Sequence, residues 1–198
     1  MSRLILASSS PRRRELLTQI GLKFEVIASN AEENTKSREP SEMVQELSLL
    51  KATDVFAGIP PEEREGTIVI GADTLVSLGG RVMGKPVDER HAQKMLAELQ
   101  GNTHQVYTGV TLLWQAEGEQ EPQRKTFYEK ADVTMFPMST EEIRSYIATG
   151  EPMDKAGAYG IQGKCAAYIR GLSGDYYNVV GLPVGRLYQE LKGLERKE

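Results

Sequence analysis

A strand that turns directly into a helix opens the chain, and everything after it has to be laid out around that junction. Leu4-Ile5-Leu6-Ala7 is a short apolar run with the character of a buried strand. Ser8-Ser9-Ser10 ends it, and Pro11 suits the first helical position after a Ser10 cap. Arg12, Arg13 and Arg14 then fill the first helical turn, where the macrodipole is already positive and backbone N–H groups lack partners. A cation there is unfavourable by roughly 0.3–1 kcal/mol, and only Glu15 stands nearby in compensation. An anion seated over the helix N-terminus resolves the conflict, and phosphate suits serine hydroxyls, free N–H groups and guanidinium forks together. The alternative is a solvated basic turn. Steps of 100° cannot aim all three arginines at one point, so at least one belongs to solvent. No Walker loop occurs anywhere in the chain.

Composition narrows the classes. The 198 residues are enough for one large domain or two small lobes with a proper core. No apolar run approaches the roughly 18 residues of a membrane span, and Leu4–Ala7 is too short for a signal peptide, so no membrane partner is expected. Cys165 is the single cysteine, which excludes an internal disulfide and a cysteine-rich zinc site and fits a reducing cytoplasm. The net charge of −4 argues against nucleic acid as a partner but leaves a nucleotide open, since a few cations in a cleft suffice. His91 and His104 lie apart without metal-ligand spacing and are expected to be ordinary polar residues. Chemistry therefore falls to carboxylates, lysines and a metal ion.

Further along, Gly21 closes the first helix and Phe24–Ile27 reads as a second strand. The polar loop from Ser29 to Glu39 carries Glu32 and Glu33, either as functional groups or as a solvated acidic turn. A helix from Pro40 to about Phe56 has Val44, Leu47 and Val55 on its apolar stripe. Lys51 falls in the middle of that stripe, so it either snorkels to an edge or points its ammonium at a phosphate. After a linker over 58–66, Thr67–Leu78 is an apolar strand interrupted by Asp73. A carboxylate in such a run must be paired, metal-bound or placed at an exposed position. Gly79-Gly80 reverses the chain through Arg81–Met83, and Gly84-Lys85-Pro86 returns Lys85 towards the level of Asp73. Asp88 caps a helix through Leu99, and a long strand pair, Gln105–Trp114 and Lys125–Phe136, follows with a polar tip between. Ser139-Thr-Glu-Glu142 is a capping box for a helix to about Ala148. Beyond it, glycines at 157, 160 and 163 imply backbone packed close to something, beside Asp154, Lys155 and Gln162. Asp154 and Lys155 are either a surface pair or ligands. Ala166–Ile169 reads as a strand, Gly171–Gly174 as a turn and Tyr176–Val180 as strand-like, before a last helix from Pro183 and a charged, frayed tail.

Together, Ser8, Arg12, Arg13, Glu33, Lys51, Asp73, Lys85, Asp154, Lys155 and Gln162 combine cations for a polyphosphate, carboxylates for a divalent metal and an amide for a base edge. Hydrolysis of a phosphoanhydride needs that mixture. The residues point to a metal-dependent nucleotide hydrolase.

Leu6–Arg13, Gly71-Ala-Asp-Thr74, Gly84-Lys-Pro86, His104–Gly109, Asp154–Gly163 and Val180-Gly-Leu-Pro183, in this order, resemble the Maf nucleotide pyrophosphatases over essentially the whole chain. The resemblance implies a single domain over 1–198 with an α/β fold related to the inosine-triphosphate pyrophosphatases: a long, mixed, twisted sheet, helices on both sides and two lobes around a central cleft. It implies hydrolysis of a nucleoside triphosphate to the monophosphate and pyrophosphate with Mg²⁺, or with Mn²⁺ or Co²⁺, and a homodimer. Ala72-Asp-Thr74 and the Asp154–Gly163 motif resemble the branch acting on dTTP and UTP. On that resemblance Asp73 is the proton acceptor, and Arg12, Thr74 and Gln162 set specificity. Ser8, Arg13, Glu33, Lys51 and Lys85 hold phosphates and metal, with Glu32 as the alternative to Glu33. Two rival readings remain beside it, a nucleotide-binding regulator of septum formation and a pyrophosphatase for modified purine triphosphates.

Overall fold

The computed structural model describes residues 3–195, so the charged tail beyond them lies outside the described residues. Strand β1 (Arg3–Leu6) runs parallel to β2 (Glu25–Val26) on one side and to the first residues of β3 (Thr67–Leu78) on the other. β4 (Arg81–Met83) folds back on the far end of β3. β5 (Thr103–Trp114), β6 (Gln123–Met135) and β7 (Ile169–Ser173) follow on β3's other edge, each antiparallel to its neighbour. The result is a mixed sheet in the order β2-β1-β3-β5-β6-β7, with β4 alongside β3.

Among the described residues six α-helices clothe this sheet: α1 (Pro11–Gln19), α2 (Pro40–Ala57), α3 (Glu89–Leu99), α4 (Thr140–Ile147), α5 (Tyr176–Val180) and α6 (Val184–Glu195). The alternation of side chains along β3 explains why both faces need cover. Val69 joins Ile5 and Leu113 beneath Ala52, Val55 and Phe56 of α2. Ile68, Ile70 and Ala72 face the opposite way, onto Leu16 and Leu17 of α1 and Leu187 of α6. Farther along the same strands a separate core begins, where Val76, Val106 and Val133 meet Met95, Leu96 and Leu99 of α3 and Ile143 and Ile147 of α4. One sheet therefore serves two lobes.

Two glycines let α2 lie directly on the strands. A Cβ on Gly71 would stand 2.1 Å from the Ser48 carbonyl oxygen, and one on Gly109 would stand 2.2 Å from that of Val44. Close-packed backbone of this kind fixes how far the side chains of α2 reach.

The sequence expectations fail locally in the last third. Residues expected as a strand, Ala166–Ile169, lie mostly in a 3-10 turn over Lys164–Tyr168, and the expected turn at 171–174 is largely the edge strand β7. Tyr176–Val180 is a helix, because Asp175 accepts a hydrogen bond from the Tyr177 N–H at its start and β5 holds Asn178 from below. At the other end of the chain Ser10 occupies the N-cap position of α1 without capping it through its hydroxyl. The Ser139 capping box and the Asp88 cap form as expected.

Candidate active site

Asp73 and Thr74 sit at a break in the sheet. On one edge of β3, pairing with β1 ends at Ile70 and pairing with β4 begins at Val76, so residues 71–75 have no strand there. The loop leaving β1 and the Gly84-Lys85 turn leaving β4 both open onto that gap. A cleft of about 620 Å³ fills it, walled by both lobes. Crevices of this kind, beyond the carboxyl ends of strands, are where open α/β sheets bind ligands.

At the cleft floor Lys51 lies between two carboxylates. Its ammonium is 2.6 Å from Asp73 Oδ1 and 2.8 Å from Glu33 Oε1. Lys51 and Asp73 are largely buried, while Glu33 reaches in from the exposed 29–39 loop. Partial burial alone would raise the Glu33 carboxyl, but Lys51, Lys85 and Arg13 outweigh it and hold it below the usual carboxylate range. Lys51 thus neither snorkels nor waits alone for a phosphate; it is a cation shared by two acids. Glu33 takes this position and Glu32 does not line the cleft. Two carboxylates converging on one positive charge also suit a divalent cation. Mg²⁺ commonly takes one or two carboxylates and completes its shell with water and substrate phosphates. Among the described residues no cluster of three or more His, Cys, Asp or Glu offers an all-protein cage.

The three arginines of α1 go three ways. Arg14 is exposed. Arg13 is buried and clamps the cleft wall: its Nε–H donates to the Gly181 carbonyl, one Nη to Ser8 Oγ and the Ala72 carbonyl, the other to Thr74 Oγ1. It satisfies a carbonyl of β3 in the gap where a neighbouring strand would otherwise do so. Burial lowers its pKa from the ordinary value, with Asp73 and Glu33 pulling it up and Arg12 pulling it down. Four of its five N–H donors are therefore committed to the protein. Thr74 is likewise turned inward, accepting from Arg13 and bonded to Thr108, which donates to the Asn178 carbonyl.

Arg12 reaches across the cleft to Asp154 at 3.0 Å. Lys155 meets the same carboxylate at 2.7 Å and donates to the Glu151 carbonyl oxygen. Partial burial alone would raise Asp154, yet Lys155 and Arg12 keep it below its ordinary value. Asp154 and Lys155 are thus neither an isolated surface pair nor free ligands. Lys85 and Gln162 also line the cleft, both exposed.

A family model described as "Maf-like protein" matches residues 3–194. The chain belongs to the Maf family. Its similar relatives include proteins named dTTP/UTP pyrophosphatase. One from Agathobacter rectalis is 50% identical and covers 98% of each chain. One from Lachnoclostridium phytofermentans is 47% identical, over 97% of this chain and 95% of its own. One from Bacillus cytotoxicus is 48% identical with the same coverage, 97% and 95%. A solved structure described as "The structure of the Staphylococcus aureus Ham1 protein" overlaps 67% of this chain and 71% of its own, at 14% identity and a TM-score of 0.45.

In this Maf chain buried polar residues behind the cleft lining have roles that the sequence reading did not assign them. His104 is no ordinary polar residue: it is fully buried and its Nε2 lies 2.8 Å from the hydroxyl of Tyr159, which lines the cleft. Thr108 and Asn178 support Thr74 from behind. Asn178 was legible in principle as a polar residue inside an apolar run; Thr108 and His104 stood out only as part of the 104–109 motif, since strands hold such residues routinely on their exposed faces. Among the described residues no helix is long and apolar enough to cross a membrane.

Proposed function

We propose that this chain hydrolyses nucleoside triphosphates, dTTP and UTP foremost, to the monophosphate and pyrophosphate. The observation that carries the reading is the Asp73–Lys51–Glu33 contact at the floor of a cleft that also holds Arg12, Lys85 and Gln162. The names of the relatives point the same way.

In the reaction a water oxygen bonds to the α-phosphorus, the bond to the bridging oxygen between the α- and β-phosphorus breaks, and pyrophosphate leaves with the electron pair. Asp73 accepts the water's proton, its Oδ1 oriented by Lys51. Arg12 and Lys85 supply positive charge beside the phosphates, and Lys51 steadies whichever carboxylate the substrate complex leaves unpaired. A divalent cation held by Glu33 and Asp73, Mg²⁺ by preference and Mn²⁺ or Co²⁺ as substitutes, would supply charge neutralisation at the phosphates. Gln162 offers one donor and one acceptor, the pattern required by the adjacent carbonyl and N–H on the Watson–Crick edge of uracil or thymine. The thymine methyl is worth only about 1 kcal/mol, so both bases are accepted. A cytoplasmic setting fits the single buried, free thiol, and a homodimer follows the family resemblance.

Pyrophosphate release with Mg²⁺ over dTTP, UTP, CTP, ATP, GTP, ITP and 7-methyl-GTP tests this. Turnover should centre on dTTP and UTP and vanish in Asp73→Asn. Tight nucleotide binding without turnover of any of them would instead make the protein a nucleotide-responsive regulator.

A further inference from the structure

Gln162 has the chemistry to read a base, yet nothing in the protein holds its side chain. It is exposed, and its carboxamide has no hydrogen-bond partner among the described residues. Its place in the cleft is therefore set by the backbone of the turn that carries it. That turn closes on itself through the Gly163 N–H to the Gly160 carbonyl, at 3.2 Å. Its two ends hang on two side chains outside it. The Gly160 N–H donates to the Tyr146 hydroxyl at 3.1 Å, and the Lys164 N–H donates to Glu151 Oε2 at 3.0 Å. Tyr146 in turn donates its hydroxyl proton to Glu151 Oε1, at 2.8 Å.

The packing is as tight as the bonding. A Cβ on Gly163 would stand 2.2 Å from Glu151 Oε1, and one on Gly160 would stand 2.6 Å from Lys155 Cε. The spacing of these glycines thus lets the turn wrap onto Glu151 and its neighbour. The Glu151 carbonyl also receives the Lys155 ammonium. None of these bonds involves Asp73, Glu33 or Lys51.

We propose that Glu151 is a positioning residue for base recognition, its carboxylate and the Tyr146 hydroxyl together fixing the 160–164 turn that presents Gln162 to the base. This rests on the reading of Gln162 given above. A loosened turn weakens what the base contributes to binding and leaves the chemical step intact, so its mark is a shift in KM and in base preference, with kcat preserved. Glu151→Gln keeps the shape but faces the Lys164 N–H or the Tyr146 hydroxyl with an amide that cannot accept both bonds.

The test is steady-state pyrophosphate release from UTP, CTP, ATP and GTP. For Glu151→Gln, KM for UTP should rise about tenfold, the kcat/KM preference for UTP over the other three should narrow by about as much, and kcat with UTP should stay within about threefold. Tyr146→Phe removes one hydroxyl and should shift the same quantities in the same direction by less; it decides the matter if Glu151→Gln does not fold. An equal fall of kcat on all four substrates with the preference unchanged would make Glu151 merely structural and overturn the proposal. Gln162→Glu runs alongside. If it loses the preference while Glu151→Gln keeps it, the positioning role alone is wrong. If Gln162→Glu also keeps it, the base-reading role falls and takes the positioning role with it.

Discussion

Arg13 and His104 show how much of this cleft is decided by what a buried side chain touches. Arg13 reads from the sequence as one more phosphate-seeking cation in a basic turn; besides Ser8, five residues away, its partners are two carbonyls and a hydroxyl from segments 59 to 168 residues away. No local pattern encodes those. Asp73, by contrast, was legible because a lone carboxylate in an apolar strand is costly unless it is used. His104 makes a sharper test of the residue scale. Burial pushes its pKa down from an ordinary 6.5 to about 4, with only Asp132 pulling it back up. The unfolded chain therefore takes up this proton first as the solution is acidified. The neutral ring's contribution is fully present above pH 6.5 and is lost as pH falls towards 4, an effect of about 3 kcal/mol. Urea unfolding between pH 7 and 4 should show that slope, and His104→Gln, which does not titrate, should flatten it. Equal slopes in the two proteins would mean the ring is not buried neutral.

The loop that delivers Glu33 illustrates the scale of elements. It has no regular structure of its own, and α2 pins it on both sides of Glu33. Asp54 accepts from the Ser29 hydroxyl and the Asn30 N–H, and Glu46 accepts from Thr35, the Lys36 N–H and Ser37. These bonds hold Glu46 well below the usual carboxylate range, at about 2. With Glu33 holding the proposed divalent cation, Glu46→Gln should therefore leave folding nearly untouched while raising the Mg²⁺ concentration for half-maximal turnover by about tenfold. An unchanged Mg²⁺ dependence would show that the loop needs no such anchor. Whether an element was legible follows the same logic of distance. α2, β3 and β5 were readable because their own periodicity determines them, and Lys51 could be placed on the inward face of α2. The segment 164–180 was not. Its residues have strand-like composition, but Asn178 donates to the Val106 carbonyl while its own carbonyl accepts from Thr108, and those contacts with β5 override local preference. Gly171, a poor strand residue, enters β7 because Thr134 of β6 pairs with it at the sheet edge.

For the whole molecule, the decisive feature is that the lobes share their strands. β3 and β5 stay in register from Ile68 opposite Trp114 to Ser77 opposite Gln105, and β5 and β6 from Thr103 opposite Thr134 to Trp114 opposite Gln123. A strand of 12 residues extends roughly 40 Å, so each reaches from one core well into the other. Hydrogen exchange with and without a non-hydrolysable UTP analogue should therefore show new protection in the loops at 29–39, 84–88 and 154–164, while the amides of β3, β5 and β6 exchange as before. Strand amides changing as much as the loops would contradict this. A groove cut into a single plank cannot close like a book, because it has no spine to fold along. Whatever shuts over a bound nucleotide here must be the fringe of the plank, which leaves the rim free to change its taste in substrates while the timber beneath stays the same.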